Sequence, residues 1–278
     1  DYVSGAILFD ETIRQKTTTG KKFPDYLNEI GIITGIKVDT GAKPFSCHRN
    51  EKITEGLDNL PQRMEEYKLL GVKFAKWRAV ITIGDRMPSS ACMIANAHAL
   101  ARYASICQEL DIVPIVEPEV LMNGSHNIDT CFTVTNEAQN ILFEALDKLD
   151  VNLTGIILKP NMVTSGSSCE KQASTEEIAE LTIKCLAKNI PKEVPGIAFL
   201  SGGQSDENAS NNLSYINKIN SNPWKLTFSY GRALQLEAMK KWGGDNTQNS
   251  EAQKIILERA HFNSLASSGK YNLKMENN

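Results

Sequence analysis

The chain has 278 residues, of which 41% are hydrophobic and 23% are charged, and its formal net charge is −3 at pH 7. These values are typical of a soluble globular protein, and the length fits one large α/β barrel or two average domains. The charge gives no electrostatic support to a nucleic-acid or anionic-membrane partner, and no apolar run approaches the roughly 20 residues that span a bilayer.

Seven β-rich apolar segments follow one another along the chain, and successive segments start 29 to 42 residues apart. Helix-like segments lie between most of them, and one more follows the last. Strand, helix and strand at this interval predict repeated βαβ units and a parallel sheet. The predicted strands are 3–9, 32–39, 74–81, 112–120, 154–163, 195–203 and 225–234, and the predicted helices are 60–71, 89–110, 135–149, 174–190, 206–219 and 250–267.

The TIM (β/α)8 barrel fits this pattern best, because the strands are apolar almost throughout and such barrels are typically ~250 residues long. A doubly wound open sheet is the alternative, but the chain lacks the Gly-x-Gly-x-x-Gly turn that would favour it. A closed barrel needs one strand more than the seven found. Nothing in 10–31 or after residue 234 resembles a further strand. We therefore expect one barrel domain over residues 1–278 whose first strand is missing.

A lysine interrupts the apolar stretch "GIILKPNMV" at 155–163. Residues two apart in a strand share a face, and this alternation places polar residues of five predicted strands on matching faces near the strand ends. Any one of them alone is more often structural, but in a barrel this joint placement indicates an active site. These residues are Lys37, Asp39, Lys76, Arg78, Glu117, Glu119, Lys159 and Ser201, and Gly203 shares the predicted face of Ser201.

Three lysines and an arginine around two carboxylates suit a doubly anionic, phosphorylated substrate. The stretch "SGGQS" at 201–205 offers unhindered backbone N–H groups beside a hydroxyl, and "SYGR" at 229–232 offers a glycine N–H and a guanidinium. Both stretches belong to the last two predicted strands, where barrels tend to bind phosphate. They are therefore candidate phosphate-binding segments.

Lys159 is a candidate nucleophile. A desolvated amine beside another cation loses proton affinity, and Lys76 is the candidate neighbour. A neutral Lys159 can attack a ketone and form an iminium, which accepts the electrons of an adjacent carbon–carbon bond as it breaks. Glu117 can shuttle protons for dehydration of the carbinolamine.

At these residues the chain resembles the class I fructose-1,6-bisphosphate aldolases of the animal glycolytic type. The stretches "GIKVD", "FAKWR", "PIVEPE", "ILKPNMV", "FLSGGQS" and "LTFSYGRAL" resemble the strand-end motifs of that family, in order, and the likeness runs essentially end to end. The resemblance implies that Lys159 forms a Schiff base with dihydroxyacetone phosphate, with Lys76 and Glu117 as proton-transfer partners and Glu119 stabilising the charge network. One phosphate would be held by Ser201, Gly202, Gly231 and Arg232, with Lys37 and Arg78 toward the other.

The resemblance further implies a cytosolic homotetramer that acts in glycolysis and gluconeogenesis without a metal or cofactor, with possible cytoskeletal or proton-pump partners. The six cysteines form no Cys-x-x-Cys pair, which is typical of reduced cytosolic thiols. The four histidines show no metal-ligand spacing.

Two departures from the family stand out. No residue here matches the aspartate that ends the family's first strand, and Tyr271 is the last tyrosine without being a terminal residue. We therefore expect both ends of the family's chain to be missing, and residues 1–278 alone to fold poorly and to cleave substrate slowly or not at all.

Two other functions remain open at this point. One is a different Schiff-base sugar-phosphate enzyme, such as a transaldolase or a one-phosphate aldolase, and comparing cleavage of fructose 1,6-bisphosphate and fructose 1-phosphate separates these. The other is a non-catalytic scaffold, which would tolerate loss of Lys159.

Overall fold

A parallel seven-stranded sheet forms the centre of the computed structural model, which describes residues 2–277. Its order is β1-β2-β5-β6-β7-β8-β9, and β3 with β4 forms a separate antiparallel hairpin. The strands are β1 Gly5–Leu8, β2 Ile33–Lys37, β3 Gly41–Pro44, β4 Lys52–Glu55, β5 Phe74–Ile81, β6 Val113–Val120, β7 Ile157–Leu158, β8 Gly196–Phe199 and β9 Lys225–Phe228.

Nine α-helices are present in the described part of the chain, and most of them connect consecutive strands of the sheet. None of these helices is both long enough and apolar enough to cross a bilayer. They are α1 Asp10–Ile13, α2 Phe23–Glu29, α3 Leu60–Leu69, α4 Ser90–Glu109, α5 Ile128–Lys148, α6 Thr175–Asn189, α7 Asp206–Ile219, α8 Arg232–Trp242 and α9 Asn249–Ala266.

The predicted TIM-type α/β fold with seven strands is confirmed. All six strand pairs of the large sheet are parallel, so the sheet follows the repeated βαβ pattern. Within residues 2–277, β1 and β9 each pair with one neighbour only. The sheet is therefore that of a barrel with one strand fewer than eight.

The outer face of the sheet packs against the helices. Trp77 on β5 is fully buried and stacks on Tyr103 of α4, with ring centroids 5.6 Å apart. Val116 on β6 and Leu158 on β7 belong to the same buried cluster. Because side chains alternate along a strand, this packing directs the neighbouring residues, Lys76 among them, to the inner face.

The hairpin of β3 and β4 was not predicted, and it joins the main sheet at β5. The Thr54 hydroxyl donates a hydrogen bond to the Arg78 carbonyl at 2.7 Å, and Thr54 N–H donates to the side chain of Asn96 on α4 at 3.1 Å. At its base, Thr40 N–H donates to the Glu55 carbonyl at 2.9 Å. The hairpin is therefore bound to the sheet beside a candidate site residue.

Helix starts follow local capping signals, and one of them was missed. A capping box starts α6, since the side chains of Ser174 and Glu177 each accept a hydrogen bond from the other's backbone N–H. In contrast, α5 begins at Ile128 rather than at residue 135, because Asn127 accepts a hydrogen bond from Thr130 N–H and caps the helix there. Helices α1, α2 and α8 were not predicted.

Three predicted strands extend four or more residues beyond the end of the observed ones. Of 154–163, only Ile157–Leu158 is strand, because Pro118 and Pro160 each remove a backbone donor beside it. Of 225–234, the strand ends at Phe228 and α8 begins at Arg232.

The alternation predicted for the third of these strands, 195–203, is wrong. Ile157 pairs with Gly196, so Ala198 shares the face of Lys159, and Phe199 lies on the opposite face in the helix-packed core. The strand ends at Phe199, and Ser201 follows in a turn. Because Ser201 lies beyond the end of the strand, its position does not indicate the face of Phe199, and the predicted face was wrong within the strand as well.

Candidate active site

Lys159 lies directly after β7, opposite Glu117 of β6. Its backbone N–H donates to the Val116 carbonyl at 2.8 Å, which continues the β6–β7 ladder by one bond. Its Nζ is 2.9 Å from Glu117 Oε1, and its side chain is only 10% exposed. The amine is therefore on the inner face, within hydrogen-bonding distance of a buried carboxylate.

Glu117 lies between two amines. Its Oε2 is 3.1 Å from Lys76 Nζ, as an ion pair whose angles do not make a hydrogen bond, and this oxygen accepts no hydrogen bond from any described residue. Glu117 and Lys76 are both buried. Glu117 thus contacts the Lys159 amine through Oε1 and keeps a free lone pair on Oε2, and this arrangement suits a group that carries protons.

The environment of Lys159 lowers its pKa below the ordinary lysine value. Burial is the largest cause, and the positive charge of Lys76 acts in the same direction, whereas the negative charge of Glu117 opposes them without reversing the result. The direction matches the sequence-based expectation. A larger share of this amine is therefore neutral, and nucleophilic, near pH 7 than for a lysine in water.

Asp39 is a third carboxylate of the site, to which the sequence analysis assigned no role. It accepts hydrogen bonds from Lys37 Nζ at 2.6 Å, Gly41 N–H at 3.2 Å and Arg78 N–H at 3.3 Å, and it lies 3.9 Å from Lys76 Nζ. Its side chain is 2% exposed. The alternation in "GIKVD" places Asp39 on the same face as Lys37, and this was the feature of the sequence that could have indicated its place in the site.

Arg78 and Glu119 form an ion pair at the end of β5 and β6. The Glu119 side chain is buried, whereas the Arg78 side chain is 41% exposed. Lys37 is half-buried and directs its amine to Asp39. Arg78 and Lys37 are therefore the cations of this group that solvent can reach.

A second group of predicted residues lies at the ends of β8 and β9. Gly202 and Gly203 have φ of +62° and +92°, left-handed values that suit glycine and turn the chain before α7. Arg232 is the first residue of α8 and follows Gly231 directly. The turn and α8 border a cleft of about 380 Å³ lined by Ser201, Gly203, Gln204, Ser205, Asp206, Glu207, Arg232, Ala233, Leu236 and Glu237.

The structure thus brings the predicted residues together in two groups. Lys37, Lys76, Arg78, Glu117, Glu119 and Lys159 join Asp39 in a cluster of ion pairs and hydrogen bonds, and Ser201, Gly202, Gly231 and Arg232 lie on the two following strand ends. The Leu200 N–H donates to the Pro160 carbonyl at 3.2 Å and links the second group to the Lys159 segment. Across residues 2–277, no three His, Cys, Asp or Glu side chains are placed to hold a metal ion.

Comparison with known proteins gives the same family throughout. Residues 1–278 match the family model for glycolytic fructose-bisphosphate aldolase class-I. "Probable fructose-bisphosphate aldolase class 1" of Xanthomonas axonopodis pv. citri (strain 306) is 56% identical over 272 residues, which are 98% of this chain and 81% of that protein. "Fructose-bisphosphate aldolase 4, cytosolic" of Arabidopsis thaliana is 48% identical over 97% of this chain and 69% of its own.

A solved structure is similar over nearly the whole chain. It is a ternary complex of fructose-bisphosphate aldolase from Plasmodium falciparum with TRAP and a small-molecule inhibitor. It superimposes with a TM-score of 0.95 at 46% identity, covering 98% of this chain and 79% of that one.

Proposed function

Because the chain belongs to the class I fructose-bisphosphate aldolase family, we propose that Lys159 is the lysine on which it forms its Schiff base. Enzymes of this family cleave fructose 1,6-bisphosphate reversibly to dihydroxyacetone phosphate and glyceraldehyde 3-phosphate in glycolysis, and a Schiff base is characteristic of them; the family match identifies this chain as such an enzyme. The observation that supports Lys159 is its buried amine, with lowered pKa, 2.9 Å from Glu117.

In the proposed mechanism the neutral Lys159 amine attacks the C2 ketone of the open-chain sugar and forms a carbinolamine. Glu117, in its protonated form, donates a proton to the departing hydroxyl, so that water leaves and an iminium forms. The resulting Glu117 carboxylate then accepts the proton of the C4 hydroxyl. The C3–C4 bond breaks, glyceraldehyde 3-phosphate leaves, and the electron pair moves into the iminium to give an enamine.

The return half of the cycle needs a proton at C3 and water at C2. Protonation of the enamine regenerates the iminium, and hydrolysis releases dihydroxyacetone phosphate and restores the amine. Lys76 assists because its ammonium, 3.1 Å away, stabilises the Glu117 carboxylate whenever it is charged. Glu119 holds Arg78 in an ion pair at the rim and maintains the charge network around these groups.

The two ends of the substrate carry phosphates, and two sets of groups suit them. We propose that Ser201, Gly202, Gly231 and Arg232 bind one phosphate, since a glycine turn and the N-terminus of α8 offer backbone N–H groups beside a guanidinium. We assign the second phosphate to Lys37 and Arg78, because they are the partly exposed cations of the other cluster.

Replacing Arg232 by alanine tests the first phosphate site. A charge-assisted hydrogen bond contributes about 1.5–3 kcal/mol, so we expect KM for fructose 1,6-bisphosphate to rise by about 10-fold to 100-fold. Steady-state kinetics of the full-length enzyme measures this change. Lys241→Ala, which removes one charge from the exposed last turn of the same helix, is the control. Equal effects of the two variants would mean that net charge, and not phosphate contact, matters.

Borohydride reduction in the presence of dihydroxyacetone phosphate, followed by peptide mapping, tests the role of Lys159. We expect the label on Lys159. The pKa of Lys159 is lowered, so the Schiff base should still be trapped rapidly at pH values well below the ordinary lysine pKa of about 10.4. Trapping should slow only when the pH falls through the lowered pKa, because the amine is then protonated. A label on any other lysine refutes the assignment.

Location, assembly and partners are also proposals. Relatives from Arabidopsis thaliana and Spinacia oleracea are named cytosolic and cytoplasmic isozymes, which supports a cytoplasmic enzyme here. We propose a homotetramer on family resemblance. The complex of the Plasmodium falciparum enzyme with TRAP supports binding of protein partners by such enzymes, and cytoskeletal or proton-pump partners stay predictions.

A further inference from the structure

The segment that carries Lys159 lacks the regular backbone ladder of a central strand. β7 pairs with β6 through two positions only, Ile157 with Ile115 and Leu158 with Val116. In a parallel ladder the N–H of residue 118 would donate to the carbonyl of residue 159, but residue 118 is proline and has no N–H. Pro160 likewise has no N–H to donate toward β8. Backbone hydrogen bonds of the sheet are therefore missing next to Lys159, both toward β6 and toward β8.

A side chain takes over at the next position of the ladder. Asn161 Oδ1 accepts a hydrogen bond at 3.0 Å from Val120 N–H, the donor that a regular ladder would pair with the main-chain carbonyl of residue 161. Its Nδ2 donates to the Thr135 hydroxyl on α5 at 3.0 Å and to the Met162 carbonyl at 3.0 Å. The side chain is buried. One amide thus joins the Lys159 segment, the end of β6 and helix α5.

We infer that Asn161 is a positioning residue, which holds Lys159 opposite Glu117 by cross-linking these three elements. The inference rests on the proposed role of Lys159. The amide is two residues after the nucleophile, and the residue it binds, Val120, directly follows Glu119. It therefore acts on both sides of the Lys159–Glu117 contact without touching the reacting atoms.

The chemistry of the position requires an amide. The side chain must accept from one backbone N–H and donate to a hydroxyl and a carbonyl, and among short side chains asparagine alone does both with separate atoms. The 2.9 Å contact between Lys159 and Glu117 depends on where the segment lies. A misplacement of about 1 Å can cost on the order of 100-fold in rate, so a cross-link here affects catalysis.

Asn161→Ala in the full-length enzyme is the main test. We expect kcat and the rate of borohydride trapping to fall together by about 10-fold to 100-fold, with KM nearly unchanged and the label still on Lys159. Loosening the segment admits water to the amine, so the pKa of Lys159 should rise toward that of an ordinary lysine. The acid limb of trapping, which is the pH range over which trapping slows as the amine is protonated, should therefore move to higher pH.

Asn189→Ala is the matched control. The Asn189 amide donates to Asn136 at 3.1 Å, to Gln139 at 3.4 Å and to the Cys185 carbonyl at 3.0 Å. It ends α6, a crossover helix that runs back toward the strands' N-terminal ends, away from the site. We expect a lower melting temperature with unchanged kcat and an unchanged pH profile of trapping.

A second pair of variants decides the matter even if Asn161→Ala does not fold. Thr135→Val removes the acceptor on α5 and keeps the side-chain volume, whereas Thr135→Ser keeps the hydroxyl. We expect valine to slow trapping and serine to restore it. If Asn161→Ala or Thr135→Val behaves like Asn189→Ala, losing stability but not rate, the inference is wrong. A label away from Lys159 in the unmodified enzyme would instead refute the proposed function itself.

Discussion

Replacing Lys159 by methionine is expected to lower kcat by about 10⁶-fold, the scale seen when another covalent enzyme loses its nucleophile. Methionine has similar length but no amine, so neither carbinolamine nor iminium can form. The fold should survive, because Glu117 keeps Lys76 as a partner at 3.1 Å and a buried amine is removed rather than added. Single-turnover cleavage of fructose 1,6-bisphosphate, with a thermal melt beside it, measures both effects.

Lys159→Arg is the companion variant, since it keeps a positive charge beside Glu117 but has no neutral amine near pH 7. Both variants should be equally inactive if nucleophilic attack is the function of the residue. Should the arginine enzyme retain most of its activity, the residue would be acting only as a charge. Should the methionine enzyme do so, Lys159 would not be the Schiff-base residue.

Replacing Glu117 by glutamine is expected to lower kcat by about 10²-fold to 10⁴-fold, the usual contribution of a general acid–base group. The amide has nearly the same shape but can neither donate the proton for dehydration nor accept the one from the C4 hydroxyl. The negative charge of Glu117 also raises the pKa of Lys159, so its loss should move the acid limb of trapping to lower pH. A slower reaction with a less basic amine is a combination that simple unfolding does not produce.

Glu51→Gln is the control for Glu117→Gln. Glu51 is also a buried carboxylate, and its Oε1 accepts a hydrogen bond from Ser89 N–H at 2.6 Å, outside the strand-end cluster. It should keep its activity and the pH profile of trapping. Activity of Glu117→Gln close to that of Glu51→Gln would exclude Glu117 as the proton carrier.

The cluster around Lys159 was predictable because its alternation is a local property of extended backbone. Gly35 pairs with Phe74, Lys37 with Lys76, and Arg78 with Glu117, so residues that share a parity in the sequence also share a face in the sheet. The face predicted for 195–203 was wrong because it was counted through Ser201, which lies beyond β8, and Phe199 was therefore assigned to the lysine face although it packs among the helices. Alternation predicts faces correctly only as far as the strand continues.

The contacts of Asp39 and the cross-link at Asn161 could not be predicted from the sequence, because they join residues that are distant along the chain. Asp39 binds the backbone of a different strand through Arg78 N–H, and Asn161 meets Thr135 on a helix that begins earlier than predicted. The prolines that shorten β7 were visible in the sequence. The side chain that compensates for them was not, because its partners are distant along the chain.

The hairpin of β3 and β4 contacts two residues of the proposed substrate site, Asp39 and Arg78. Its base is joined to Asp39 through Gly41 N–H and to β5 through the Arg78 carbonyl, whereas its tip, residues 45–51, lies farther from those contacts along both strands. A change at the base would therefore reach Arg78 directly and Lys37 through Asp39, and these are the two cations that we propose for the second phosphate. If Lys37 and Arg78 bind phosphate as proposed, the base of the hairpin is a place where affinity for a sugar phosphate can change without altering Lys159.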